Sequence, residues 1–175
     1  MAQTSDIVNS SWNPGQAMPG ENEPVVKVRE PLLSEVLTKV NNAKTKKDKI
    51  KILKNHDTPA MRSICKWSFD PNIESALPEG SPPFIENEAP EGTEHSRLST
   101  EHNKLYHYIK GGNDGLQATR REVMFVQLLE ALHPSESKLL INTKDKKLHQ
   151  VYKGFSSAVV KEAFNWDDNY QRKDV

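Results

Sequence analysis

The chain has 175 residues, of which 35% are hydrophobic, and its 24 basic and 24 acidic residues give a formal net charge of zero. It lacks an apolar run near the roughly 20 residues that cross a bilayer, and its first ten residues do not resemble a secretory signal. A single cysteine, Cys65, excludes an internal disulfide and fits a reducing compartment. We therefore expect an intracellular protein with one folded domain.

Residues 1–30 are rich in Ser, Asn, Gly, Glu and Pro and have few apolar side chains. This composition is typical of a flexible arm. An alternative is that part of the arm forms a short extended piece that pairs with a partner, through Val25, Val26 and Val28. The folded domain is predicted over residues 31–166, and a polar tail over residues 167–175.

Three helices are predicted at the start of the folded part. Pro31 suits a first helical turn because its missing N–H would be unpaired there. Thr45, with Asp48 three residues further on, resembles a capping box and begins the second helix. Thr58-Pro59 begins the third helix, which ends at Asp70-Pro71 because the residue before proline disfavours the α region.

An acidic, proline-rich loop is predicted over residues 77–95. Four prolines and two glycines lie between Leu77 and Glu94, and the segment is too long for an ordinary connection, so we expect it to be ordered on the surface or functional. Its apolar anchors, Phe84 and Ile85, are expected to pack on Trp67 and Leu77. The candidate contacts of this loop with a protein partner are Phe84, Ile85, Glu86, Glu88 and Glu91.

The next helix is predicted to run from Ser96 to Lys110. Gly111-Gly112 then ends it as a C-terminal glycine cap. Residues 110–115 resemble a phosphate-binding nest, but they follow a helix and not a strand, so a cap and turn are the preferred interpretation. The predicted buried side of the helix consists of Leu98, Leu105, Tyr106 and Ile109.

Three further helices are predicted in the rest of the chain. Thr119 begins the most apolar of them, which we expect to be the central helix of the fold. Pro134-Ser135 begins another, and Ser156 or Ser157 caps the last. The intervening residues Leu148 to Tyr152 are expected to be briefly extended. Since the sequence contains no convincing strand ladder, the predicted class is all-α.

The sequence does not predict a catalytic or metal-binding site. His102 and His107 are five residues apart, whereas two ligands on one helix face are four apart. His95 and His102 could share a face, but the sequence offers no third ligand for a metal ion beside them. Cys65 lies on an apolar helical face, where an inert core thiol is expected. Nucleophile-elbow and phosphate-loop motifs are absent from the sequence. We therefore expect a non-enzymatic binding protein without a cofactor or metal.

Two lysine clusters are the features that indicate a ligand. The lysine stripe (Lys47, Lys51 and Lys54) has the spacing of one helix face, opposite the apolar positions. The lysine turn (Lys144, Lys146 and Lys147) lies at a predicted helix end. Lysines at helix ends and on exposed stripes can contact DNA phosphates without reading bases, so these six are the candidate DNA contacts. A solvated face that keeps the protein soluble is the alternative interpretation.

The order of segments resembles the N-terminal DNA-binding domain of ATP-dependent DNA ligases. Leu32-Leu33-Ser34-Glu35-Val36-Leu37 and Lys49-Ile50-Lys51-Ile52-Leu53-Lys54-Asn55-His56-Asp57 are similar to its start. Residues 137–148, Gly154-Phe155-Ser156 and residues 159–164 are similar to its later part. The resemblance covers residues 32–165 and implies an all-helical domain that grips duplex DNA through its backbone and minor groove. The K-x-D-G motif of nucleotidyl transfer is absent from the sequence.

The whole chain also resembles a protein of contractile-tailed phages from marine hosts. The resemblance lies in Trp67-Ser68-Phe69-Asp70-Pro71-Asn72, Glu88-Ala89-Pro90-Glu91-Gly92-Thr93-Glu94 and Tyr108-Ile109-Lys110-Gly111-Gly112. It implies a phage origin, with a location in the host cytoplasm or the virion. The first hypothesis is a replication-associated accessory protein that binds duplex DNA. The second is a module that binds a phage or host protein through the acidic loop and the N-terminal arm.

Overall fold

The computed structural model describes residues 29–90, 92–93 and 95–173. Residues from Pro31 onward form one folded unit, whereas residues 1–28 of the predicted arm lie outside the described residues. Over the described part the secondary structure is helical, with two isolated β-bridges in place of a strand ladder. The predicted all-α class is confirmed. None of the described helices is both long enough and apolar enough to span a membrane.

Eight α-helices and one 3-10 helix occur in the described residues. They are α1 (Leu33–Asn42), α2 (Lys46–Asn55), α3 (Pro59–Phe69), α4 (Leu98–Glu101), the 3-10 helix (His102–Tyr108), α5 (Ala118–Ala131), α6 (Pro134–Lys144), α7 (Leu148–Val151) and α8 (Ser157–Phe164).

Three helices begin at the caps that the sequence predicts. The hydroxyl of Thr45 accepts a hydrogen bond from the N–H of Asp48, that of Thr58 from the N–H of Met61, and that of Ser156 from the N–H of Val159. Each bond satisfies a backbone donor that has no partner within its own helix. These starts are predictable because the cap and its donor are only three residues apart.

The helix predicted from Ser96 to Lys110 is instead one α-helical turn followed by the 3-10 helix. Ser96 lies one residue before the N-cap and does not cap the turn. Residues three apart share a face of a 3-10 helix, so Leu105 and Tyr108 are both buried. Tyr106, predicted to be buried, is therefore 48% exposed.

Helix α5 is not the central helix of the fold. It buries Phe125, Leu128 and Leu129 on one side, but Val123 is 43% exposed. The central position belongs to α3 and α6, which pack against each other and against elements on both sides. The prediction took the high apolar content of α5 as a sign of a central position. It is wrong because some of these apolar residues lie outside the buried face of the helix.

Within residues 148–152, which were expected to be extended, Leu148–Val151 form the short helix α7 and Tyr152 is its C-cap. The N–H of Tyr152 donates to the carbonyl of Leu148 at 2.9 Å, which closes one α-helical turn. Leu148 is fully buried. Burial of that side chain fixes the turn, and the weak apolar pattern of five residues does not reveal it.

The C-terminal segment, predicted as a polar tail from residue 167, packs on the domain through residue 173. Tyr170 is buried and contacts the ring of Trp166, with 6.1 Å between centroids. The carboxylate of Asp167 accepts hydrogen bonds from the N–H groups of Asn169 and Gln171. One aromatic residue among polar neighbours is enough to order this segment.

The proline-rich segment is ordered against the domain where the structure describes it. Phe84 packs against the core as predicted, but Ile85 is 78% exposed and is not an anchor. The backbone N–H of Ile85 donates to a carboxylate oxygen of Glu130 at 3.1 Å, which directs the side chain outward. Leu77 packs on the core with Phe84, while Glu91 lies outside the described residues.

Cys65 is fully buried, and this burial raises the pKa of its thiol. The thiolate is the reactive form of cysteine, so the thiol is held in its unreactive state. The predicted core position of Cys65 is confirmed.

Candidate nucleic-acid interface

The lysine stripe lies on the solvent side of α2. Ile50 and Leu53 point to the core, where α2 packs on α1 and α8. Lys47, Lys51 and Lys54 are exposed, and Lys47 and Lys54 lie one helical turn before and after Ile50. Within the described part of the chain, none of the three makes a hydrogen bond or an ion pair. The seven steps from Lys47 to Lys54 rise by roughly 10 Å, so three ammonium groups without a hydrogen bond or ion pair in the described residues form a short row.

Two other lysines of α2 contact neighbouring parts of the domain. Lys46 forms an ion pair with Glu162 of α8 at 2.7 Å, and this hydrogen bond lowers the pKa of the Glu162 carboxyl. Lys49 covers Gly154, where an added Cβ would clash with the Lys49 ammonium group. Gly154 also donates its N–H to Asn41 at 3.4 Å. Lys46 and Lys49 thus contact the domain, while the burial of Ile50 and Leu53 fixes the direction of α2 and of its stripe.

The lysine turn has a different environment, beginning with Lys144. Its side chain is only 1% exposed and forms an ion pair with Asp145, itself nearly buried. The Lys144 ammonium donates to the carbonyl of Pro78 at 2.8 Å, and Asp145 accepts from the N–H of Gly80 at 3.1 Å. Lys144, predicted to contact DNA, therefore lies inside the protein, because the proline-rich segment covers it.

Lys146 caps the end of α3. Its ammonium donates to the carbonyls of Trp67 and Asp70, both at 2.8 Å, where the helix dipole is negative. The backbone of Lys146 is left-handed, with φ of +56°, and this conformation turns the chain back towards α3. Burial lowers the pKa of Lys146. The side chain is committed to this internal contact.

Lys147 pairs with Glu79 at 3.0 Å, and this hydrogen bond raises the pKa of Lys147. All three ammonium groups of the lysine turn thus have acceptors within the protein. Of the six predicted DNA contacts, only the three of the lysine stripe are both exposed and without an acceptor in the described residues.

The structure also contains a cleft that sequence reasoning missed. It measures about 480 Å³ and lies between α5 and residues 77–83 of the proline-rich segment. Val123 and Val126 of α5 line it, and both fall outside the main buried face of that helix. The sequence does contain a signal for this cleft. Helix α5 has more apolar residues than one buried face holds, so another part of the chain has to pack over the remaining ones.

Groups of three or more His, Cys, Asp or Glu residues that would hold a metal ion do not occur among the described residues. The ring nitrogen Nδ1 of His102 lies 3.0 Å from the carbonyl oxygen of Ser99. Nδ1 of His107 lies 3.0 Å from the side-chain amide of Asn113. These two histidines bond within their own segments.

Comparison with known proteins gives one finding of similarity. A family model described as a "Family of unknown function" matches residues 36–150, which is more than half of the chain. The matched range extends from α1 into α7 and includes the lysine stripe, the lysine turn and the cleft. Neither the curated proteins nor the solved structures yield a match.

Proposed function

We propose that this chain, which belongs to the family of unknown function DUF6433, is a non-catalytic protein that binds the backbone of duplex DNA through the lysine stripe of α2. The observation that carries the proposal is the row of three exposed ammonium groups at Lys47, Lys51 and Lys54, without an acceptor among the described residues. Its length of roughly 10 Å equals the rise of about three base pairs.

The chemistry of the stripe favours phosphate over base edges. Lysine is a flexible point charge, and it binds phosphates without the planar fork with which arginine reads guanine. The acidic residue in the first turn of α2 is Asp48. Its carboxylate is engaged at the helix cap, where it accepts a hydrogen bond from the Thr45 hydroxyl at 2.7 Å. DNA would release counterions on binding to the stripe, which makes the affinity depend steeply on salt.

The resemblance to the ligase DNA-binding domain supports the same ligand. It places the lysine stripe in a segment similar to the start of that domain. With the resemblance to a phage protein, it motivates a replication-associated accessory role in the host cytoplasm. We propose that the chain binds DNA without sealing it, because its sequence lacks the K-x-D-G motif of nucleotidyl transfer. We remove Lys144, Lys146 and Lys147 from the proposed contacts, since each has an internal acceptor.

Fluorescence anisotropy with a labelled duplex at low salt tests the proposal. Replacing all three lysines of the stripe by glutamate should weaken binding by about tenfold or more. The matched control replaces three exposed lysines that already form ion pairs, with the same change in net charge: Lys104→Glu, Lys110→Glu and Lys138→Glu.

The control variant should lose several-fold less affinity than the stripe variant, and circular dichroism checks that both remain helical. Equal losses in the two variants would reduce the effect to net charge and contradict a specific face. If the wild-type protein does not bind duplex DNA at low salt, the proposed function is wrong.

A further inference from the structure

We infer that the cleft between α5 and the proline-rich segment is a docking site for a peptide segment of a protein partner, in which apolar side chains are flanked by lysine or arginine. This surface is separate in its residues from the lysine stripe and does not depend on DNA binding. The cleft, of about 480 Å³, is within the size range of ligand pockets in proteins.

The floor and walls of the cleft are apolar. Phe125 and Val126 lie on the side of α5, with Val123, which is 43% exposed. Leu77 and the consecutive prolines Pro82-Pro83 line the other side. An apolar side chain that enters displaces water from both sides, and this burial is the main source of favourable free energy in such contacts.

The proline-rich side of the cleft is held in position before any ligand arrives. Lys144 bonds the carbonyl of Pro78, Asp145 accepts from the N–H of Gly80, and Lys147 pairs with Glu79. A buried ion pair such as that of Lys144 and Asp145 adds little net stability but fixes geometry. A wall that is already ordered lowers the entropic cost of binding.

The charges of the lining favour a basic partner. Glu122 is the charged residue of the lining without an ion-pair partner in the described part of the chain, since Glu79 is paired with Lys147 and Lys144 with Asp145. Pro82-Pro83 have no N–H to donate, so their backbone offers only acceptors. Glu88 continues the acidic character along the segment and is exposed. An unpaired carboxylate and backbone carbonyls match the donors of lysine and arginine.

Panning a displayed library of random peptides against the full-length protein tests this inference. Val123→Asn places an uncharged polar group in the apolar cleft, whereas Val151→Asn makes the same change at a valine of α7 that is 51% exposed and does not line the cleft. Wild type and Val151→Asn should enrich peptides with apolar residues next to lysine or arginine. The affinity of these peptides for Val123→Asn should be lower by about tenfold or more.

Glu122→Lys should weaken the binding of the same peptides. Its circular dichroism spectrum should match that of wild type, which shows that the fold is unchanged. Failure to enrich peptides, enrichment of acidic peptides, or equal binding to Val123→Asn and wild type would overturn the inference. Self-association that Val123→Asn abolishes would identify a second copy of the chain as the occupant and would also overturn it. Duplex DNA affinity should be the same in Val123→Asn and wild type, because the net charge is unchanged, so the two surfaces are tested separately.

Discussion

The lysine stripe and the lysine turn have similar sequences and opposite environments. Each consists of three lysines within eight residues or fewer. The stripe faces solvent from one side of α2, whereas Lys144 is almost completely buried and Lys146 bonds two carbonyls of another helix. The difference is in the acceptors that the fold brings to each cluster. Charge density along the chain therefore does not indicate whether a lysine is available to a ligand.

The largest effect is expected from Lys144→Met. The change leaves Asp145 buried without its counter-charge and the carbonyl of Pro78 without its donor, so the free energy of unfolding should fall by about 3–5 kcal/mol. Lys47→Met in the stripe should change it by less than about 0.5 kcal/mol. Urea unfolding measures both. Similar values for the two variants would contradict the comparison.

A second substitution sharpens this result. Replacing Asp145 by leucine in the Lys144→Met protein removes the uncompensated charge, so the double variant should be more stable than Lys144→Met alone. If the double variant were less stable than Lys144→Met, the loss would not come from the unpaired carboxylate.

A smaller effect is expected from Lys146→Met. The methionine keeps most of the aliphatic length of the side chain but removes the ammonium donor, so the carbonyl of Trp67 loses its bond to Lys146 and that of Asp70 keeps only the N–H of Ile73. The free energy of unfolding should fall by about 1–3 kcal/mol. Lys51→Met is the matched control on the stripe, and the same urea titration should give no more than about 0.5 kcal/mol for it. A neutral result for Lys146→Met would show that its capping contacts do not stabilise α3.

The smallest effect concerns the ion pair of Lys46 and Glu162. The pKa of the Glu162 carboxyl is lowered in the folded protein by its bond to Lys46, so the folded state binds protons more weakly than the unfolded state. The contribution to stability is present above the ordinary pKa of 4.5 and is lost as the pH falls through the lowered value. Wild type should therefore unfold at a slightly higher urea concentration than Lys46→Met at pH 7, with the difference vanishing in acid. A difference that persists in acid would exclude the ion pair as its cause.

Local signals predict most of the fold. Caps at Thr45, Thr58 and Ser156 act over three residues, and the helical spacing of apolar positions identifies α1 to α3. The 3-10 helix departs from this rule because its three-residue period exposes Tyr106 and buries Tyr108. The order of the C-terminal segment depends on Tyr170 packing against Trp166, a contact that the polar composition around it hides.

The candidate site divides in the same way. The direction of the lysine stripe follows from the period of one helix and is predictable from sequence. The environment of the lysine turn depends on partners far along the chain, such as Pro78 for Lys144 and Trp67 for Lys146. Spacing within the turn carries no information about these partners, because they meet it only when α3, α6 and the proline-rich segment pack together.

The salt dependence of duplex DNA binding tests the central claim most directly. The logarithm of the association constant should fall linearly with the logarithm of salt concentration, by about 0.9 for each phosphate contact. Replacing Lys47, Lys51 and Lys54 by glutamine should reduce that slope by about 2.7, while Lys147→Gln should leave it unchanged because this lysine is paired with Glu79. A slope unchanged in the stripe variant, or one reduced by Lys147→Gln, would contradict the assignment of DNA contact to the stripe.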